Sequence, residues 1–71
     1  MFRAHVIEWT AKGDMRTSKW FTTAVDAMSH GVAETKLMKG EKFEIVVVDR
    51  AREVVLSKIT EKGEKTRSMD R

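Results

Sequence analysis

The spacing of apolar positions along this chain changes twice, from two residues to about 3.6 and back to two. Residues 2–10 alternate and are rich in β-formers, which predicts a strand. Phe2, Ala4 and Val6 point to one side of it, and Arg3, His5, Ile7 and Trp9 to the other. Ala11-Lys12-Gly13-Asp14 is a turn signal, because glycine supplies a positive φ and aspartate tolerates turn geometry. Residues 16–21 then form the return strand of a hairpin. With Lys12-Gly13 as a two-residue loop, Trp9 lies opposite Arg16, Ile7 opposite Ser18 and His5 opposite Trp20, while Ala4 faces Phe21 on the other side. A slip of one residue exchanges Trp20 and Phe21 between faces, but in either register one of the two is buried and the other is not.

The period then lengthens. Thr22 or Thr23 can cap a helix, and Asp26 stands three residues after Thr23 in the position a capping box gives to an acid. On a helical wheel Ala24, Ala27, Met28, Gly31, Val32, Thr35 and Met38 share one face, and Asp26, Ser29, His30, Ala33, Glu34 and Leu37 share the other. Gly31 sacrifices about 1 kcal/mol of helix propensity relative to alanine. On the inner face it lets the helix approach a sheet closely; the alternative is a helix break. Lys36 and Lys39 suit a helix C-terminus, with Gly40 as the C′ residue.

Residues 43–49 return to strand character, apolar on both faces toward the end, as in the centre of a sheet. Arg50-Ala51-Arg52 makes a turn. Residues 53–60 form another strand, with Val55 and Ile59 on one side and Val54 and Leu56 on the other. The order β-β-α-β-β predicts an α+β domain over residues 1–62: a four-stranded, mostly antiparallel sheet with one helix on one face. Residues 63–71 read as a polar, flexible tail, with a short edge strand as the alternative.

The sheet face away from the helix would carry Arg3, His5, Ile7, Trp9, Val46 and Val48, with Trp20, Val54 and Leu56 as further candidates. That mix is too apolar for a fully wetted surface and too charged for a closed core, which marks a partner surface. Trp and Arg are enriched at interface hot spots. Trp9, Arg16 and Trp20 are therefore the expected contact anchors, with His5, Arg3 and Lys19 as the rim. Three alternatives stay open for this face: a distinct partner, homodimerisation, or mutual shielding with Arg16 stacked on Trp9.

Composition narrows the chemistry. Seventy-one residues give one small core with little room for a deep substrate pocket, which argues against an enzyme. The chain has no cysteine, so disulfides and thiolate metal sites are excluded. His5 and His30 have no acidic neighbours at ligand spacing, so no metal or other cofactor is expected; Asp26 and His30 are placed for a surface i,i+4 contact. No phosphate-binding loop or nucleophile elbow occurs. Without a long apolar run or a signal-peptide pattern, the expected location is cytoplasmic, with no membrane partner. Fourteen Lys and Arg against eleven Asp and Glu leave a formal charge of +3, with the basic excess at the two ends of the chain. This supports a modest preference for anionic partners.

Two functional classes follow: a protein-binding inhibitor or adaptor docking on a larger protein or nucleoprotein complex, and a nucleic-acid binder using aromatic and basic side chains on a sheet. Small net charge and valines on the central strand weigh against the second. The segment Lys19-Trp20-Phe21-Thr22-Thr23-Ala24-Val25-Asp26-Ala27 resembles the strand-to-helix junction of arm-type DNA-binding domains in phage integrases, although that pattern has three strands. The β-β-α-β-β order, with Ser57-Lys58 and the glycine-containing Gly63-Glu64-Lys65 stretch, resembles small phage-encoded inhibitors of the anti-CRISPR type. That resemblance implies binding to a host nucleoprotein complex without catalysis, and it assigns no individual functional residue.

Overall fold

Phe43, Ile45 and Val47 alternate along one strand, and all three are fully buried. They define the core of a computed structural model that describes residues 1–9 and 13–61. The elements are β1 (Phe2–Glu8), β2 (Met15–Thr17), α1 (Ala24–Thr35), β3 (Lys42–Asp49) and β4 (Val54–Glu61). The strands form one antiparallel sheet in the order β2-β1-β3-β4, with α1 crossing over between β2 and β3. The expected α+β architecture is present. The most apolar strand, β3, takes a central position, where both of its edges are hydrogen-bonded. Thr10, the loop residues Ala11 and Lys12, and residues 62–71, which include the expected tail, lie outside the described residues.

The helix packs its predicted stripe on the sheet. Ala27, Gly31 and Thr35 are buried, with Met38 just beyond them, and Ala24, Met28 and Val32 pack against Ala4, Val6, Phe43, Ile45 and Val47. Full burial of a side chain such as Val6 or Ile45 contributes roughly 1.5–3 kcal/mol. Thr23 is the N-cap, and its Oγ1 accepts from the Asp26 backbone N–H at 3.1 Å, so an otherwise orphaned helix donor is satisfied. Gly31 is a close-approach residue and not a break: a Cβ there would lie 2.6 Å from Ile45 Cγ2.

The helix is shorter than its apolar stripe. It ends at Thr35 with Lys36 as C-cap, and turns through residues 36–39 carry Met38 back into the core. Gly40 is therefore not the C′ residue. It is buried where the Glu8 side chain occupies the space a Cβ would need.

The first hairpin also departs from expectation. β2 has only three residues, and they place Thr17 opposite His5, Arg16 opposite Val6 and Met15 opposite Ile7. This is a three-residue displacement from the two-residue-loop register, and an odd displacement reverses the faces of β2. Between the Ser18–Ala4 contact and the Phe2–Phe21 bridge, the segment after β2 takes up one residue more than β1. That extra residue restores the original parity. Trp20 lies on the side away from the helix, and Phe21 packs against the core.

The turn from β3 to β4 is organised by Asp49. Its carboxylate accepts from the backbone N–H groups of Ala51 and Glu53 at 2.9 and 3.0 Å, and Arg52 adopts a positive φ of 67°. A register shift at the start of β4 places Val54 opposite Val48, while Leu56 lies opposite Val47. Leu56 thus shares the helix side of the sheet, and Val54, Ser57 and Ile59 share the other. The sequence expectation had grouped Val54 with Leu56.

Candidate partner-binding face

Only one face of the sheet has a helix on it. On the other, the β1–β3 register pairs Arg3 with Val48, His5 with Val46 and Ile7 with Glu44. β2 adds Thr17 beside His5 and Met15 beside Ile7; β4 adds Val54, Ser57 and Ile59 beside Val48, Val46 and Glu44. Trp9 extends the ladder, donating its backbone N–H to the Lys42 carbonyl at 2.8 Å. Among the described residues no element covers this face. Met15, Val54 and Ile59 are each more than half exposed, and Trp9 is 48% exposed.

The two indoles stand at opposite ends of the face, and each lies under cations. The Arg3 guanidinium is 4.3 Å from the Trp20 ring centroid, and that of Arg50 is 5.2 Å away. Lys42 Nζ is 4.7 Å from the Trp9 ring centroid. Each such contact contributes about 0.5–1 kcal/mol at an exposed site, and it fixes the indole's orientation. Arg3 to Trp9 spans six strand positions, roughly 20 Å. The face thus mixes Ile7, Val46, Val54, Ile59 and Met15 with His5, Thr17, Glu44 and Ser57, carries a tryptophan with cations at each end, and has Val48 buried within it. His5 sits between the two indoles, its Nδ1 3.0 Å from Thr17 Oγ1. The buried Nε of Arg3 has no hydrogen-bond partner among the described residues.

Four of the six expected site residues, Trp9, Trp20, Arg3 and His5, come together here. Arg16 and Lys19 do not. The reversed parity of β2 turns Arg16 to the helix side, where its Nη1 donates to Glu34 Oε1 at 2.9 Å. The cation over Trp9 is Lys42, and not Arg16 as in the mutual-shielding alternative. Lys19 lies over the Phe21 ring at 5.5 Å and lines an open cleft of about 370 Å³ with Arg16, His30 and Glu34. His30 approaches Glu34 at 3.7 Å, and not Asp26 as the helix spacing had suggested. Arg16→Ala should therefore lower stability by no more than about 1 kcal/mol, the usual worth of an exposed ion pair. Binding through the open face should be unchanged. Thermal melts paired with a binding assay check both parts.

Lys42 and Arg50 belong to the site but were not anticipated. Lys42 precedes the predicted strand, and only the β1–β3 register brings it beside Trp9. Arg50 follows β3 in the turn centred on Asp49, and its guanidinium reaches the Trp20 ring.

Among the described residues there is no group of three or more His, Asp or Glu side chains able to hold a metal. No helix there is long and apolar enough to cross a membrane. Compared with protein-family models, curated proteins and solved structures, the chain finds no match.

Proposed function

We propose that this chain is a small non-catalytic binding protein, of the inhibitor or adaptor kind, that docks the open face of its sheet on a larger protein. The observation that carries this reading is the partly exposed, mixed apolar and polar strip without a helix on it, bounded by the Trp20–Arg3–Arg50 and Trp9–Lys42 groups. Tryptophan and arginine held in fixed orientations around apolar surface are the usual energetic centres of protein interfaces. Little ordering entropy is lost at such a surface when a partner arrives.

The nucleic-acid reading is weaker on the same observations. Sheets that bind single strands present ring faces to successive bases. Here each indole already carries at least one of the chain's own cations against its ring, and the central positions are Val46 and Val48. Glu44 lies on the strip as well, beside Ile7 and Ile59.

The experiment is affinity capture from the native cell, with and without nuclease, comparing the wild type with a Trp9→Ala, Trp20→Ala double variant. The wild type should retain its partner after nuclease treatment. A double variant with a native far-ultraviolet spectrum should bind roughly 100-fold more weakly or worse, as expected for two hot-spot tryptophans. Equal binding by the folded double variant would overturn the reading. So would capture abolished by nuclease, with affinity falling steeply as salt rises.

A further inference from the structure

Along β1 the buried residues are Ala4, Val6 and Glu8, on the side that faces the helix. The first two are ordinary core residues. The third is a carboxylate in a core row, 8% exposed, opposite Phe43 on β3. Gly40 makes room for it, because a Cβ there would collide with the Glu8 carboxylate. A buried charge is normally paired or hydrogen-bonded, since burial strips it of water. The backbone N–H of Glu8 donates to the Asp14 carbonyl at 2.8 Å. Among the described residues, however, its carboxylate makes no hydrogen bond and no ion pair.

This side chain opens on a cleft of about 360 Å³ beside the turn that follows α1. Leu37, 70% exposed, and the buried Met38 give the cleft apolar surface, and Asp14 adds a second carboxylate. Two of the chain's own cations line it, Arg16 and Lys39. The Arg16 guanidinium is committed to Glu34 at 2.9 Å. Lys39 pairs with neither acid of the cleft among the described residues. With Arg16 offset by Glu34, Glu8 and Asp14 outnumber Lys39, so the cleft carries excess negative charge.

We propose that this cleft binds the ammonium head of an unbranched alkyl chain. Glu8 accepts from the ammonium, Leu37 and Met38 pack against the methylenes, and Asp14 adds attraction at the rim. An ammonium brings three donors to an acceptor that lacks any, and its alkyl stem suits the apolar walls. An anion would meet the unpaired carboxylate and a single uncommitted cation. Calcium takes about six to eight oxygen ligands, whereas among the described residues Glu8 and Asp14 are the only acids lining the cleft. Free alkylamines and lysine side chains both carry this head. The cleft lies on the helix side of the sheet, so the proposal does not depend on the partner proposed for the open face.

The test is an amide-resolved NMR titration at fixed pH and ionic strength with n-pentylamine, Nα-acetyl-lysine methylamide, 1-pentanol and pentanoate. Pentylamine should move the amide signals of Glu8, Met38, Lys39 and Gly40 and saturate with a Kd of about 1–10 mM, the range open to a ligand of so few atoms. Pentanol and pentanoate should bind at least roughly tenfold more weakly, since neither forms the charge-assisted bond. Tighter binding of the acetyl-lysine amide than of pentylamine assigns the site to a protein side chain, and the reverse order to a free amine. Glu8→Gln keeps the shape and removes the charge; with a native far-ultraviolet spectrum it should bind pentylamine about tenfold more weakly or worse. Lys39→Ala should bind it at least as well as the wild type. No saturable shift at these amides by ~100 mM pentylamine overturns the proposal. Pentanol or pentanoate binding as tightly as pentylamine also overturns it, and that comparison needs no variant. Unchanged binding by folded Glu8→Gln overturns it too, as does binding lost in Lys39→Ala.

Discussion

Phe43→Ala should leave the protein largely unfolded at physiological temperature. Phe43 is completely buried at the start of β3, opposite Glu8 on β1 and Thr60 on β4, in one cluster with Val6, Ile45 and Met38. Removing a buried aromatic ring costs about 3–5 kcal/mol, partly through lost transfer energy and partly through the cavity left behind. A domain of this size rarely holds more than about 3–5 kcal/mol of net stability, so the loss is of the same order as the whole. Val46→Ala, on the open face of the same strand, is the matched control. Urea titrations followed by far-ultraviolet circular dichroism should show an ordinary transition for Val46→Ala and little or none for Phe43→Ala. A cooperative Phe43→Ala transition with a wild-type midpoint would mean that the core lies elsewhere.

Gly31→Ala should also destabilise, against its helix propensity. Taken as a helix alone, alanine is better than glycine by about 1 kcal/mol. Within the fold the new methyl would sit 2.6 Å from Ile45 Cγ2, with Ala4 Cβ at 3.4 Å and Val6 Cγ2 at 3.5 Å. Ile45 and Ala4 are both fully buried, and protein interiors are close-packed, so the contact has to be relieved by shifting core atoms. Overpacking of this kind costs about 1–3 kcal/mol, so the balance falls on the destabilising side. For a domain this small each kcal/mol moves the melting temperature by roughly 4–8 °C. Ala33 gives the contrast: it is an exposed position of the same helix, where Ala33→Gly should destabilise through propensity alone. Adding a methyl at one position and removing one at the other should both lower the melting temperature. A higher melting temperature for Gly31→Ala would show that the helix stands further from the sheet than these distances.

These two residues also mark what could be read without coordinates. The stripe from Ala24 to Met38, the N-cap at Thr23 and the apolar β3 are local patterns. Each depends on neighbours within one or two turns or along one strand, so periodicity and capping chemistry suffice to place them. The helix end was less legible. Met38 keeps the helical spacing, but the chain leaves the helix after Thr35 and returns Met38 to the core by a turn instead. Gly40 looked like a cap signal, but what decides that position is the space taken by Glu8, a residue thirty-two positions earlier.

The binding face was half legible for the same reason. Strand alternation alone put Arg3, His5, Ile7 and Trp9 on one side of β1. Which residues stand beside them is a question of register, and register is set by the sum of long-range contacts and by loop geometry. The three-residue displacement in the first hairpin sent Arg16 to Glu34, and the β-bulge in β4 moved Leu56 to the helix side. The β1–β3 pairing supplied Lys42 to Trp9. Local pattern was enough for the order of elements, for the inward stripes of β1, α1 and β3, and for two tryptophans among cations. Which cation meets which indole depended on long-range packing, because side chains far apart in the chain become neighbours only once the strands are aligned.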